Sequence, residues 1–252
     1  MPTDLELLPT SGRPEQLLIL LHGVGASPAA MAPLAQLLRL QFAQSAVLVP
    51  AGFDPFDMGR PGRQWFSLQG LNEDNRLARV TAMLPRLIAW VHAAQQRLQV
   101  GPAATALVGF SQGSIVALEA VSAEDGLAGR VLAFSGRYAR LPDRAPAYTT
   151  IHLLHGGLDQ VMPADHAREA LHHLGALQGD ATLDIAEEVG HELHPALVEC
   201  ALRRLTSHIP LRTWRAAMGG LPQAAAMDGA PERANGTSGQ THETGDEDDS
   251  RG

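Results

Sequence analysis

Short apolar runs alternate with longer segments of helical periodicity over the first 215 or so residues of the chain. Residues 17–21 form a continuous apolar run, which is typical of a strand buried on both faces of a sheet. Similar short runs predict five further strands, at 46–49, 104–110, 131–134, 150–155 and 182–187.

The segments between these runs carry apolar residues at helical spacing. They predict helices at 28–40, 73–98, 112–121, 163–174 and 195–208. Residues 50–72 are rich in glycine and proline and show little periodicity, so they are predicted to form a long loop. Because alternating strands and helices imply right-handed crossovers, the predicted fold is a single doubly wound α/β domain, with a mostly parallel sheet and helices on both faces.

The composition changes near Met218, from where glycine, alanine, proline, threonine and acidic residues dominate. Between Asp228 and Gly252, seven acidic residues and two arginines give a net charge of −5 out of the formal −8 of the chain. Such a segment buries too little apolar surface to offset its conformational entropy. We therefore expect a folded domain at 1–217 and a disordered acidic tail at 218–252.

Composition also narrows the function classes. With 27 acidic against 19 basic residues, nucleic acid is not expected as a partner. All basic residues are arginine, which excludes a Schiff-base lysine, and the single cysteine, Cys200, excludes an internal disulfide and a cysteine-clustered metal site. No apolar run approaches the roughly 20 residues that span a bilayer, and the first residues lack a signal-peptide pattern, so a cytoplasmic protein is expected.

The most informative motif is G-x-S-x-G at residues 109–113. It directly follows a predicted strand and opens a predicted helix, which is where a nucleophile elbow lies in hydrolases. Ser111 is therefore a candidate nucleophile. The alternative is a serine that only caps a helix between two packing glycines.

A serine hydroxyl needs a base, and the base needs an acid to orient it. Asp159 is the only acid between the strand that ends at residue 155 and the helix that starts at Pro163. His191 follows the next strand, so the chain order is serine, acid, histidine, at one edge of the sheet. Asp159 could instead only form a turn. His194 is a second candidate base, but it directly precedes a predicted helix.

The chain has 11 histidines, but their spacing does not favour a metal site. His191 and His194 are three residues apart, whereas the H-E-x-x-H motif of zinc proteases requires four. We expect neither a metal nor another cofactor.

Two further segments are candidates for the surroundings of the site. Glycines in His22-Gly23-Val24-Gly25 would allow backbone N–H groups to approach a substrate oxygen. Trp65 and Phe66, in the long loop, are candidates for contact with the substrate.

Taken together, these residues resemble the serine α/β-hydrolases of the carboxylesterase and acyl-protein thioesterase family, and within it the bacterial YpfH-type esterases. The resemblance extends over about residues 15–210. It is carried by LLHGVG (20–25), GRQWFS (62–67), EDNRLARV (73–80), GFSQGS (109–114), IHLLHGGLDQVMP (151–163) and TLDIAEEVGH (182–191).

The resemblance implies that Ser111 is the nucleophile, Asp159 the acid and His191 the base. It also implies an oxyanion hole made by the backbone N–H groups of Val24 and Gln112. The expected partner is a small-molecule acyl ester or thioester, with no cofactor, and a homodimer stays open. Acyl thioesterase or lysophospholipase activity with the same triad is an alternative, as is a non-catalytic hydrolase-fold binding protein.

Overall fold

The computed structural model describes residues 4–59 and 61–219. Seven strands form one central sheet, and two very short strands form a separate ladder in the long loop. The strands are β1 (Leu5–Leu7), β2 (Gln16–Leu21), β3 (Ser45–Val49), β4 (Asp54–Pro55), β5 (Arg63–Gln64), β6 (Thr105–Phe110), β7 (Arg130–Phe134), β8 (Thr150–Gly156) and β9 (Ala181–Ala186).

The strand order across the central sheet is β1-β3-β2-β6-β7-β8-β9. Every neighbouring pair is parallel except β1 and β3, which are antiparallel. This confirms the predicted doubly wound, mostly parallel sheet. The carboxyl ends of β2, β6, β7, β8 and β9 lie along one edge, which we call the carboxyl edge, and loops at this edge are the usual place for a binding site.

In the described part of the chain, six α-helices accompany the sheet: α1 (Ala32–Gln41), α2 (Glu73–Leu98), α3 (Gln112–Ala123), α4 (Asp165–Ala176), α5 (Pro195–Ser207) and α6 (Leu211–Ala217). One apolar core joins one face of the sheet to α2, α3 and α4, and a second joins the other face to α1 and α5. Strands β2 and β6 are buried almost throughout because helices cover both faces. Their continuously apolar sequences follow from that position.

Four of the described elements were not predicted from the sequence: β1, α6 and the two-residue strands β4 and β5, which lie in the segment predicted to be a loop. Strand β1 has only three residues, of which Leu5 and Leu7 pack against the core, and its antiparallel pairing with β3 depends on residues 40 positions away. Helix α6 is also short and has no buried residue. The helix that was predicted from Pro163 begins at Asp165 instead.

The boundary between domain and tail stays a prediction. Of the predicted tail at 218–252, all but its first two residues lie outside the described residues. Within 4–59 and 61–219, no helix is both long and apolar enough to cross a membrane.

Candidate active site

Ser111 lies in a sharp turn between β6 and α3. Its backbone has φ 54° and ψ −116°, a conformation that residues other than glycine rarely adopt. The Ser111 N–H donates to the Phe134 carbonyl (2.9 Å), and its own carbonyl accepts from the N–H groups of Ser114 and Ile115. These bonds hold the strained turn in place, as in a nucleophile elbow.

The two glycines of G-F-S-Q-G are required by close packing around this turn. A Cβ atom on Gly113 would lie 1.9 Å from the carbonyl oxygen of Leu21, at the end of β2. A Cβ atom on Gly109 would lie 2.4 Å from the Ser114 nitrogen. No side chain fits at either position, so the motif lets α3 begin directly against the neighbouring strand.

Three side chains that are far apart in the sequence meet at the carboxyl edge. The Oγ atom of Ser111 lies 2.9 Å from Nε2 of His191, and Nδ1 of His191 lies 2.7 Å from Oδ2 of Asp159. The Asp159 side chain is fully buried, whereas that of His191 is 17% exposed. Asp159 follows β8 and His191 follows β9. The structure therefore brings the predicted serine, acid and histidine together in one hydrogen-bonded chain.

The charge state of Asp159 decides which nitrogen of His191 carries a proton. Burial opposes ionisation of Asp159, but hydrogen bonds from the Met162 N–H, His191 and the Val161 N–H outweigh it, so the pKa of this carboxyl lies below its ordinary value. An ionised carboxylate only accepts hydrogen bonds, and His191 therefore donates from Nδ1. Its unprotonated Nε2 then faces the Ser111 hydroxyl, in the orientation that a general base requires.

The turn after β2 lies beside Ser111. A Cβ atom on Gly23 would lie 3.4 Å from the Ser111 Cβ, and Gly25 has a positive φ of 73°. Among the described residues, the backbone N–H groups of Val24 and Gln112 have no hydrogen-bond acceptor. Both stay predicted donors of the oxyanion hole.

His22 is buried and makes hydrogen bonds that stabilise this turn. Its Nε2 accepts from the Gly52 N–H (2.9 Å), so its Nδ1 carries the proton and donates to the Gly23 carbonyl (2.7 Å). Burial lowers the pKa of His22 and keeps it neutral. His22 is therefore a structural residue.

The long loop ties the turn to the nucleophile. Gly25 and Arg63 are linked by a backbone hydrogen bond of 2.8 Å, and the Arg63 guanidinium donates to the carbonyls of Gly52 and Phe53. The side chain of Gln112, next to Ser111, accepts from the Trp65 N–H and donates to the Phe66 carbonyl, both at 2.8 Å.

The structure places Trp65 and Phe66 in the interior of the loop. Trp65 is 0% exposed and Phe66 is 4% exposed. The indole N–H of Trp65 donates to the His22 carbonyl (2.9 Å). These contacts support the turn and the nucleophile from the interior, and contact of Trp65 and Phe66 with the substrate stays a prediction. The sequence also gave no sign of the Arg63 and Gln112 side-chain contacts, since their partners are 10 to 47 residues away.

A mostly parallel sheet with a serine elbow after a central strand, and an acid and a histidine after later strands, defines an α/β-hydrolase. A family model described as phospholipase/carboxylesterase matches residues 3–209. The chain therefore belongs to the phospholipase/carboxylesterase family and is an enzyme of the esterase type.

Individual relatives agree with this assignment. The chain is 47% identical over 207 residues to Esterase YpfH of Escherichia coli (strain K12), which covers 82% of this chain and 88% of that protein. Among solved structures, it is similar to esterase PE8, with 29% identity, a TM-score of 0.71 and coverage of 81% of this chain and 97% of the other. A Bacillus cereus carboxylesterase shares the fold at 18% identity and a TM-score of 0.67, over 79% of this chain and 91% of the other.

Proposed function

We propose that this protein hydrolyses carboxylic esters through a Ser111–His191–Asp159 triad and an acyl-enzyme intermediate. The observation that carries the proposal is the hydrogen-bonded chain from Ser111 Oγ through the His191 ring to the Asp159 carboxylate. The serine is nearly buried yet reaches the carboxyl edge, where an ester could approach it.

The reaction proceeds in two halves. His191 Nε2 takes the proton of the Ser111 hydroxyl as Oγ attacks the acyl carbon, and the N–H groups of Val24 and Gln112 hold the oxyanion. The tetrahedral intermediate collapses, and His191 gives the proton to the leaving alcohol. Water, deprotonated by His191, then attacks the acyl-enzyme, and His191 returns the proton to Ser111 Oγ as the acid is released. Asp159 stabilises the imidazolium that forms in each half.

The substrate class rests on the relatives. Esterase YpfH and the similar solved structures carry esterase or carboxylesterase in their descriptions, which supports a small-molecule carboxylic ester as substrate. A cytoplasmic site of action is part of the proposal, and the single cysteine, Cys200, which is free, is in keeping with a reducing compartment. No cofactor takes part in these steps.

The test combines a fluorophosphonate probe with the Ser111→Ala variant. The wild-type protein is expected to be labelled at one site and to hydrolyse a short-chain p-nitrophenyl ester. Because triad members act as a unit, Ser111→Ala should lose the label and lower kcat by on the order of 10⁴–10⁶ with its fold intact. More than about a tenth of wild-type turnover in this variant would remove Ser111 from the mechanism.

The same assay separates the alternatives. A hydrolase-fold protein that only binds ligands would neither take the label nor turn over the ester. The family description also names phospholipases, so rates with matched oxygen esters, thioesters and lysophospholipids would distinguish an esterase from a thioesterase or lysophospholipase with the same triad.

A further inference from the structure

His155 lies beside the triad, although the mechanism above does not use it. It belongs to the end of β8, four residues before Asp159, and only 1% of its surface is exposed. Its Nε2 lies 2.6 Å from the Met162 carbonyl oxygen and 3.5 Å from Oδ2 of Asp159. Because both partners are acceptors, Nε2 carries the proton and donates.

This contact closes the loop that carries the acid. Oδ1 of Asp159 accepts from the N–H groups of Val161 (2.9 Å) and Met162 (2.8 Å). Met162 is therefore held at both ends of its backbone, its N–H by Asp159 and its carbonyl by His155. The carboxylate is fixed so that Oδ2 contacts His191, and the His155 Nε2 lies 3.5 Å from that same oxygen.

The neutral form of His155 suits this position. Burial lowers the pKa of His155; the hydrogen bond to Met162 and the charge of Asp159 act in the opposite direction, while His191 and Arg168 lower it further. A neutral ring donates a hydrogen bond without placing a positive charge against Asp159. A cation there would compensate the carboxylate charge that stabilises the His191 imidazolium.

A role in packing alone does not account for this histidine. Its Nδ1 is buried without a hydrogen-bond partner among the described residues, and so is the hydroxyl of Ser135. Ser135 directly follows the neighbouring strand β7 and lies near His155, since its N–H donates to the Leu154 carbonyl (2.9 Å). An apolar side chain would fill the space without leaving a buried nitrogen unpaired. The imidazole is therefore better explained by its polar contacts with Met162 and Asp159 than by packing.

We propose that His155 is a positioning residue for the triad, whose neutral Nε2–H fixes the Met162 carbonyl and thereby aims the Asp159 carboxylate at His191. It acts through Asp159 and does not touch the substrate. The proposal rests on the proposed esterase function.

The test compares variants that keep or remove the donor. The amide of His155→Gln reaches the Met162 carbonyl, whereas that of His155→Asn is too short, and His155→Phe has no donor. His152→Gln is the matched control, because His152 is equally buried on the same strand but contacts Arg130 and Thr182 instead. Three measurements are made on each variant: kcat and KM for a p-nitrophenyl ester, the pH profile of kcat/KM, and the downfield proton resonance of His191 Nδ1–H.

His155→Phe and His155→Asn are expected to lower kcat by roughly 10- to 100-fold while KM changes by less than about threefold. The acidic limb of the pH profile should move to lower pH, because a misaligned Asp159 stabilises the His191 imidazolium less, and the downfield resonance should shift or disappear. His155→Gln should recover most of kcat, and His152→Gln should match the wild type on all three measures.

Unchanged kcat and pH profile in folded His155→Asn would overturn the proposal, as would an equal loss in His152→Gln. If His155→Phe does not fold, the proposal is tested by the kinetics of His155→Asn and by its downfield His191 Nδ1–H resonance. Failure of the esterase function is a separate outcome, because the wild-type protein would then show no Ser111-dependent turnover.

Discussion

His191 and His194 are three residues apart, and their side chains have different tasks. His191 contacts Ser111 and Asp159, whereas His194 is the N-cap of α5, where its ring accepts from the Ala196 N–H (3.2 Å). We predict that His191→Ala abolishes turnover and that His194→Ala keeps at least about a third of it, since the lost cap costs only about 1 kcal/mol of stability. Rates with a short-chain p-nitrophenyl ester decide, and the reverse pattern would make His194 the base.

The burial of His152 leads to a prediction about the stability of the protein in acid. It is fully buried at β8, and burial, together with Arg130, lowers its pKa from 6.5 to about 3. The unfolded chain takes up a proton at this residue near pH 6.5 and the folded chain does not. Its contribution to stability is therefore complete above that pH and is lost as the pH falls towards 3.

His152→Gln should thus reduce the loss of unfolding free energy between about pH 7.5 and about pH 5 by about 2 kcal/mol. Urea unfolding at both values measures it. Other buried histidines with lowered pKa, such as His22, keep part of the acid sensitivity in the variant. An identical pH dependence in variant and wild type would show that His152 is not the group that resists protonation.

At the scale of single elements, the start of α3 depends on glycine. Gly113→Ala would place a methyl group 1.9 Å from the backbone of Leu21, which cannot move without distorting β2. We predict a loss of about 3 kcal/mol or more in the free energy of unfolding. Gly175→Ala in α4 is the control, because nothing lies within 4 Å of its added Cβ, and it should stabilise the protein by about 0.5–1 kcal/mol. Chemical denaturation of both variants checks the pair, and similar stabilities would contradict it.

Elements whose pattern is local could be predicted from the sequence. The apolar runs of β2 and β6 can be recognised from a few consecutive residues. The same holds for the glycine-flanked serine between β6 and α3. Ser111, Asp159 and His191 lie at the same edge of the sheet because parallel strands put successive carboxyl ends there.

Other features depend on contacts across the molecule. Trp65 lies in a loop with little periodicity. Its burial goes with hydrogen bonds to His22 and Gln112, which are distant in the sequence. Strand β1 forms because β3 has an edge with which it can pair. In the sequence, His155 looks like an ordinary strand residue. Its contact with Met162 forms only because the loop from Gly156 to Met162 folds back over it. None of these contacts leaves a signal in the sequence near the residue itself.

For the whole molecule, we predict that the acidic tail is dispensable. The helix α6 ends at Ala217, and its Leu211 N–H is anchored to Asp180 (3.0 Å), so a chain that ends at Ala217 keeps this contact. The composition of 218–252 favours disorder. A protein truncated after Ala217 should keep its Tm and its esterase rate, and thermal melting with a rate assay checks both. A large drop in either would mean that the tail docks on the domain.

The order of the strands separates the candidate nucleophile from its base. Ser111 follows β6, which has a strand on either side, whereas His191 follows β9, the last strand, whose six residues are all partly exposed and which pairs with β8 alone. Amide exchange should accordingly be faster in β9 than in β6, since a border strand with α5 opens at a lower free energy than the whole domain. Such an opening withdraws the imidazole and leaves the serine and its elbow folded. We predict from this a reversible, partly opened form, in which hydrolysis stops while most of the native structure persists.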